Sequence, residues 1–256
     1  GGGFLEAGKS LYVFAGETNI GKSIFLGNIA HNIAKEGKNV LLVTLEMSEL
    51  LYARRICSNV TKVPLKEMVG NTPAIKQAIK DEDGKIFIKE FPPSTITASQ
   101  LKGFIKKFQE QGIKLDAIVL DYLNLMHSTM GNNSYERIKH VTEQVRAMSY
   151  LFECPIISAT QLNRAGFDTD NPDLATISES IGLAATADVI CSIFQNEEDR
   201  ELGIIRLGMM KNRYGPRGNT QAMRINYSTL TIEEADDIEF DDDGDDTLNM
   251  LAGLAQ

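Results

Sequence analysis

The chain has 256 residues, 43% of them hydrophobic and 24% charged, with a formal net charge of −9. That is enough for one sizeable α/β domain of ordinary soluble composition. No apolar run reaches membrane-spanning length and no signal peptide opens the sequence, so no membrane partner is expected.

The charge is uneven. Ten acidic residues and no Lys or Arg lie between Glu233 and Asp246. The remainder holds 26 basic against 25 acidic groups, so the total does not argue against nucleic acid. Cys57, Cys154 and Cys191 sit far apart in apolar segments. They read as buried thiols of a reducing, cytoplasmic compartment. The three histidines are scattered and suggest no metal cluster of their own. Gly1-Gly2-Gly3-Phe4-Leu5 opens the chain without an initiating Met, which predicts a piece of something longer.

Leu11 to Ala15 reads as a short buried strand. Gly16-Glu17-Thr18-Asn19-Ile20-Gly21-Lys22-Ser23 follows and fits G-x-x-x-x-G-K-[ST]. Ile24 to Lys35 then reads as an amphipathic helix, apolar at Ile24, Leu26, Ile29, Ile33 and Ala34. A strand, a glycine loop and a helix N-terminus are the context of a phosphate loop. Its glycines let backbone N–H groups curl around an anion, and the helix dipole adds positive potential. Lys22 would reach the β- and γ-phosphates of ATP or another NTP, and the Ser23 hydroxyl would hold Mg²⁺.

Gly37 stops the first helix. Val40 to Leu45 is a continuous apolar strand, as in a parallel sheet covered on both faces. Glu46, Met47 and a capping Ser48 follow, then a helix from Leu51 to Val60. Pro64 to Ile79 suggests two shorter helices broken near Gly70 and Asn71. Lys85 to Phe91 alternates as a strand, ended by Pro92-Pro93. Thr97-Ala98-Ser99-Gln100 spaces a capping box, opening a helix to about Gln111. Ala117 to Asp121 is the next buried strand. His127 to Asn133 is polar and Gly/Asn-rich, a mobile loop by composition. Ser134 is expected to cap a long helix to about Phe152. Pro155 to Thr160 is a strand leading to Gln161. Asn163 to Ile177 is long and Gly/Pro/Asp-rich, a functional or disordered loop. Asp188 to Phe194, Gly203 to Lys211, Thr220 to Asn226 and Thr229 to Glu233 read as strands. The expected fold is α/β, a mostly parallel central sheet flanked by helices with antiparallel strands added near the C-terminus. One domain covers 1–235, and 236–256 is an acidic tail expected to be disordered.

In such sheets ligands sit at the carboxyl ends of the strands. The Gly16–Ser23 loop, Glu46, Asp121 and Gln161 all fall there. Asp121 follows four apolar residues and suits a second Mg²⁺ ligand, or else is a capping or turn aspartate. Glu46 either accepts a proton from an attacking water or merely opens a helix beside Ser48. Gln161 is either a γ-phosphate sensor or a plain strand-end residue. Lys211 and Arg213 are two apart near a strand end, so both face one way. They are a solvated basic face or a pair of cations for a phosphate, on another subunit if so.

Taken together, the loop, Leu45-Glu46-Met47, Leu120-Asp121-Tyr122-Leu123, Thr160-Gln161-Leu162-Asn163-Arg164 and Lys211-Asn212-Arg213-Tyr214-Gly215-Pro216 resemble the RecA-type motor domain of DnaB-family replicative helicases. The likeness runs in order across about 1–230. Ser178-Glu179-Ser180-Ile181-Gly182 up to Ala187-Asp188 is similar to the T-even phage branch. The resemblance implies a RecA-like core, a hexameric ring around single-stranded DNA, and movement driven by nucleotide hydrolysis. It also implies primase and helicase-loader partners. Residue by residue it implies Lys22 and Ser23 as phosphate and Mg²⁺ ligands, Glu46 as catalytic glutamate and Asp121 as metal carboxylate. Gln161 becomes the γ-phosphate sensor, and Lys211 and Arg213 reach a neighbour's nucleotide, Arg213 as arginine finger. DNA contact falls to Arg164, Ser178 and Glu179, with Ser178-Glu179 where many bacterial members have Arg-Glu. The family's N-terminal domain and linker helix have no counterpart here, which predicts that this piece is monomeric or assembles poorly. Two other readings compete: a RecA- or clock-type ATPase that does not unwind, which shares the loop and its carboxylates, and a nucleotide-binding interaction module without turnover, against which an intact Glu46 and Asp121 argue.

Overall fold

The computed structural model describes residues 8–71, 84–162, 181–216 and 220–235, together with Pro73 and Gln77. Nine strands form one sheet: β1 (Leu11–Gly16), β2 (Asn39–Thr44), β3 (Lys85–Glu90), β4 (Ala117–Asp121), β5 (Ile156–Gln161), β6 (Val189–Phe194), β7 (Ile204–Asn212), β8 (Thr220–Asn226) and β9 (Thr231–Glu234). Their order is β3-β2-β4-β5-β1-β6-β7-β8-β9. The first six run parallel and the last three antiparallel. Helices α1 (Lys22–Lys35), α2 (Glu49–Thr61), α3 (Ala98–Glu110), α4 (Ser134–Phe152), α5 (Ile181–Thr186) and α6 (Glu197–Leu202) accompany it.

Alternation along each strand divides the core in two. Leu11, Val13, Leu41, Val43, Ile118 and Leu120 face α3 and α4 through Leu101, Ile105, Val141 and Val145. Tyr12, Phe14, Val40, Leu42 and Val119 face α1 and α2 through Leu26, Ile29, Tyr52 and Ile56. A strand buried on both faces has no polar side to show. This is why the central strands are mainly apolar, and why a polar residue within one, such as Ser158, is bonded internally, to the Leu120 carbonyl at 2.7 Å.

Local chemistry sets the helix starts. Ser48 caps α2, accepting from the Leu51 amide at 3.3 Å. Thr97 and Gln100 form both halves of the expected capping box. The expected cap of α4 is off by one. Asn133 accepts from the Glu136 amide at 2.8 Å and Ser134 is the first helical residue, since the Asn amide oxygen reaches the third amide where chain entry is extended. Two short helices were not expected. α6 opens with an Asn196–Asp199 capping box and closes on Gly203 at φ 66, so Gly203 ends a helix and β7 begins at Ile204. α5 lies in a stretch left unassigned. Residues 65–71 form a 3₁₀ helix, the first of the two short helices expected there. The acidic tail, the 163–177 loop and Arg164, Ser178 and Glu179 lie outside the described residues. No helix among the described residues is long and apolar enough to cross a membrane.

One polar cluster fixes the last strand to the first helix. The Asn28 amide donates to the carbonyls of Ile24 and Leu230, both at 2.8 Å. Its oxygen accepts from Asn59 at 2.7 Å and from the Ile232 amide at 2.9 Å. Replacing Asn28 by Ala orphans buried donors, each worth about 1–3 kcal/mol. Asn28→Ala is therefore expected to lower unfolding free energy by roughly 2–4 kcal/mol in a urea titration. A loss below about 0.5 kcal/mol would mean that the cluster does not hold β9.

Candidate active site

β1 leaves the sheet at Gly16, between β5 and β6. A Cβ there would lie 2.8 Å from Ile20 Cγ2 and 3.0 Å from the Ile193 carbonyl oxygen. Only glycine fits so close an approach. Asn19 and Gly21 both take positive φ, 65° and 100°, and Ile20 is buried beneath them. The curl ends at Gly21, where α1 begins without a side-chain cap. The first helical N–H groups thus keep their donors for a ligand, with the positive end of the helix behind them.

Lys22 folds back over the loop. Its ammonium donates to the carbonyls of Gly16 at 3.0 Å and Glu17 at 2.5 Å. Burial lowers its pKa, against the pull of Glu46, Asp121 and Glu17. That influence places both Glu46 and Asp121 within electrostatic reach of the loop.

Asp121 ends β4 at 1% exposure, and neither of its carboxylate oxygens has a hydrogen-bond partner. Burial is the main reason its carboxyl is pushed up to about 6. Glu46 adds to the shift, while the Ser23 and Tyr52 hydroxyls and Lys22 pull against it. Tyr52, wholly buried, donates to the Ser23 carbonyl at 3.1 Å. A buried carboxylate without partners is costly unless a cation completes it. Asp121 with the nearby Ser23 hydroxyl fits Mg²⁺, a hard ion that takes one or two protein oxygens and fills its shell with phosphates and water.

Glu46 is exposed, one residue past Leu45, whose amide bonds the Asp121 carbonyl at 2.7 Å. It takes no part in capping α2. Ser48 does that, and Glu49 instead pairs with Lys89 at 2.8 Å. The Thr44 hydroxyl donates to the Met47 carbonyl and accepts from the Met47 amide, setting the turn that carries Glu46 outward. Gln161, opposite Gly16 in the register, donates to the Thr18 hydroxyl at 2.6 Å. It also lines a cleft of about 1150 Å³ with Tyr122, Asn124, His127, Asn132 and Arg137. Loop, Glu46, Asp121 and Gln161 thus share one end of the sheet.

Lys211 and Arg213 are at the other. β7 runs antiparallel to β6, so Asn212 pairs with Val189 where the parallel strands begin. The Lys211 ammonium donates to the carbonyls of Ala184 and Ala187 at 2.7 Å and of Ala185 at 3.2 Å, closing the end of α5. Arg213 reaches Asp188 at 2.9 Å. Sequence reasoning missed Asp188 and Arg146, which meet there. The available signal was a lone acid directly ahead of a mainly apolar strand.

A phosphate loop on the central strand, a buried carboxylate two strands away and a mainly parallel sheet define a nucleoside-triphosphate-binding α/β domain. More narrowly, the chain belongs to the DnaB-like helicase C-terminal domain family, whose description matches residues 3–231. It is 26% identical over 270 residues to a DnaB-like replicative helicase of Enterobacteria phage T4, covering 99% of this chain and 56% of the relative. It is 26% identical to the replicative DNA helicase DnaB of Geobacillus stearothermophilus, covering 83% and 50%. The chain therefore spans about half the length of these relatives. Among solved structures, an isolated ATPase domain superposes with TM-score 0.79 at 17% identity, covering 91% of this chain and 86% of that one. A DnaB-like replicative helicase studied with primase gives 0.78 at 17%, covering 89% and 58%.

The Asp121 carboxyl binds its proton at about 6 in the fold and at the ordinary 3.8 when exposed. Between those values the folded chain holds more protons than the unfolded one. Stability of the nucleotide-free protein therefore falls as pH rises through that window and is level above it. Asp121→Asn removes the penalty. The variant is expected to be more stable than its parent at pH 7.5 by on the order of 1–3 kcal/mol, with the gap closing toward pH 4. Denaturant midpoints at the two pH values check this, and equal stability at pH 7.5 would refute it.

Proposed function

We propose that this chain is the nucleotide-hydrolysing motor of a ring-shaped replicative DNA helicase. The observation that supports it most is the meeting of Lys22, Asp121, Glu46 and Gln161 around one open loop, with Arg213 at the opposite end of the same sheet.

In this reading the 16–23 backbone and Lys22 hold the phosphates of ATP or another NTP. To do so the Lys22 ammonium trades two loop carbonyls for phosphate oxygens. Mg²⁺, held by Ser23 and Asp121, would neutralise charge on the β- and γ-phosphates. Glu46, exposed and outside the helix cap, takes the proton of the attacking water. Gln161 touches Thr18 on one side and the cleft on the other, so it can report the state of the γ-phosphate to whatever fills that cleft. We assign single-stranded DNA to it, with Arg164, Ser178 and Glu179 as further contacts. Arg213 points away from its own loop and serves the nucleotide of an adjacent copy. Lys211 joins it only by releasing the three carbonyls at the end of α5. The whole protein acts in the cytoplasm as a hexamer with primase and a loader, residues 1–235 being its motor and 236–256 a solvated tail.

Lys22→Ala should abolish tight nucleotide binding in a calorimetric titration. Glu46→Gln should keep ATP-Mg²⁺ binding and lose hydrolysis by on the order of 10²–10⁴, the range for a general base. Normal turnover in Glu46→Gln would return that residue to a surface role.

Chains carrying Arg213→Ala keep an intact loop, and chains carrying Lys22→Ala keep an intact arginine. Mixed in one oligomer they should regain hydrolysis that neither shows alone, because a mixed interface holds one complete site. Inactivity of mixed rings, with mixing verified by mass, would take Arg213 out of the reaction.

A further inference from the structure

Asp188 is fully buried at the point where α5 gives way to β6, and it carries more partners than any other acid described. Its Oδ2 accepts from the Leu11 amide and from Arg146 Nε, both at 3.0 Å. Its Oδ1 accepts from Arg146 Nη2 and faces Arg213 Nη1, both at 2.9 Å. Arg146 therefore grips the carboxylate with a two-pronged fork, the strong form of this pairing. It is steadied on α4 by Tyr150, over whose ring it lies at 5.3 Å.

Arg213 is held differently. It meets one oxygen through one nitrogen, its side chain is 45% exposed, and among the described residues Asp188 is its one ion-pair partner. Its root is nonetheless fixed. The Arg213 amide donates to the Asp188 carbonyl at 3.0 Å, and Lys211 two residues earlier is tied to the carbonyls of Ala184 and Ala185 in α5 and of Ala187 just past it. The backbone is anchored while the guanidinium rests on a single contact.

We propose that Asp188 and Arg146 are positioning residues for Arg213. They hold its guanidinium at the edge of the sheet in a pairing that can be given up without stranding a buried charge. This rests on the reading of Arg213 as the arginine that serves an adjacent copy. When Arg213 swings to a phosphate, Asp188 keeps the Arg146 fork and the Leu11 amide, so its carboxylate stays compensated. Without Arg146 the same departure would leave a buried carboxylate with no cation, which is strongly unfavourable. Arg213 would then stay home. The second cation is what makes the first one available.

The test measures ATP hydrolysis in mixed oligomers. Arg146→Gln is expected to lower kcat about tenfold, a fraction of the 10³–10⁵ that such an arginine contributes. KM for ATP should move by less than about twofold, since the loop of the same chain is untouched. The defect should follow the chain that donates Arg213. Arg146→Gln chains mixed with Lys22→Ala chains should recover as much hydrolysis as the Arg213→Ala and Lys22→Ala mixture. Mixed with Arg213→Ala chains they should recover none. Arg146→Lys keeps a charge against Asp188 and loses only the fork, so it carries the test if the glutamine variant does not assemble, with a loss of about threefold and the same pattern of rescue. Unchanged kcat in both variants, or a loss that Lys22→Ala chains do not rescue, overturns the proposal and leaves the cluster as a structural pin. Should the Arg213→Ala and Lys22→Ala mixture itself stay inactive, the reading of Arg213 falls instead.

Discussion

Everything at the nucleotide end depends on how closely the chain passes itself at Gly16. The central strand is paired on both edges and covered on both faces. It can leave the sheet only through a gap bounded by Ile20 and the Ile193 carbonyl, too narrow for a Cβ. That squeeze forces the following residues into a curl whose N–H groups converge, and it delivers the start of α1 behind them. Lys22, Thr18 and Ser23 are placed by this one constraint before any ligand arrives. β6 supplies the wall, so the parallel strand beyond β1 is as much a part of the loop as the loop's own residues.

The fold treats its buried acids in opposite ways. Asp188 is compensated on both oxygens, by two guanidinium groups and an amide. Asp199 likewise has the Arg206 fork at 2.8 and 3.0 Å. Asp121, equally buried, has no hydrogen-bond partner on either oxygen. A chain that can satisfy two carboxylates within the same sheet could have satisfied the third. Only the Ser23 and Tyr52 hydroxyls and Lys22 act in its favour, and none of them completes it as a guanidinium fork would; under the proposed function, relieving that cost is what a bound cation would contribute. Functional sites are where proteins keep such unrelieved costs.

Much of this was readable from residues alone because the signals are local. The loop pattern spans eight residues, a capping box four, and a doubly buried strand declares itself by an unbroken apolar run. Asp121 was reachable because it directly follows such a run, and Glu46 and Gln161 because each directly follows the last residue of an expected strand. What stayed hidden depends on contacts between distant segments. Asp188 meets Leu11 across 177 residues and Arg146 across 42, and no periodicity encodes either meeting. The engagement of Lys211 with α5 was hidden for the same reason, since α5 itself is only six residues long. The misplaced cap at Ser134 is a smaller case. Asn133 and Ser134 both suit the position, and only the extended entry of the chain decides between them.

The antiparallel turn from β6 into β7 puts Arg213 at the opposite end of the strands from Gly16. On the proposed reading of Arg213, the loop and the arginine that would complete it in a neighbour are separated by the height of the sheet. A heterologous, head-to-tail contact between copies closes as a ring or runs on as a helix, whereas a twofold contact is one contact made twice. In the ring proposed above each member would be answered by the copy on one side and answer the copy on the other, so a change at one site would have a defined next site. The order of three strands would then already give that assembly its direction.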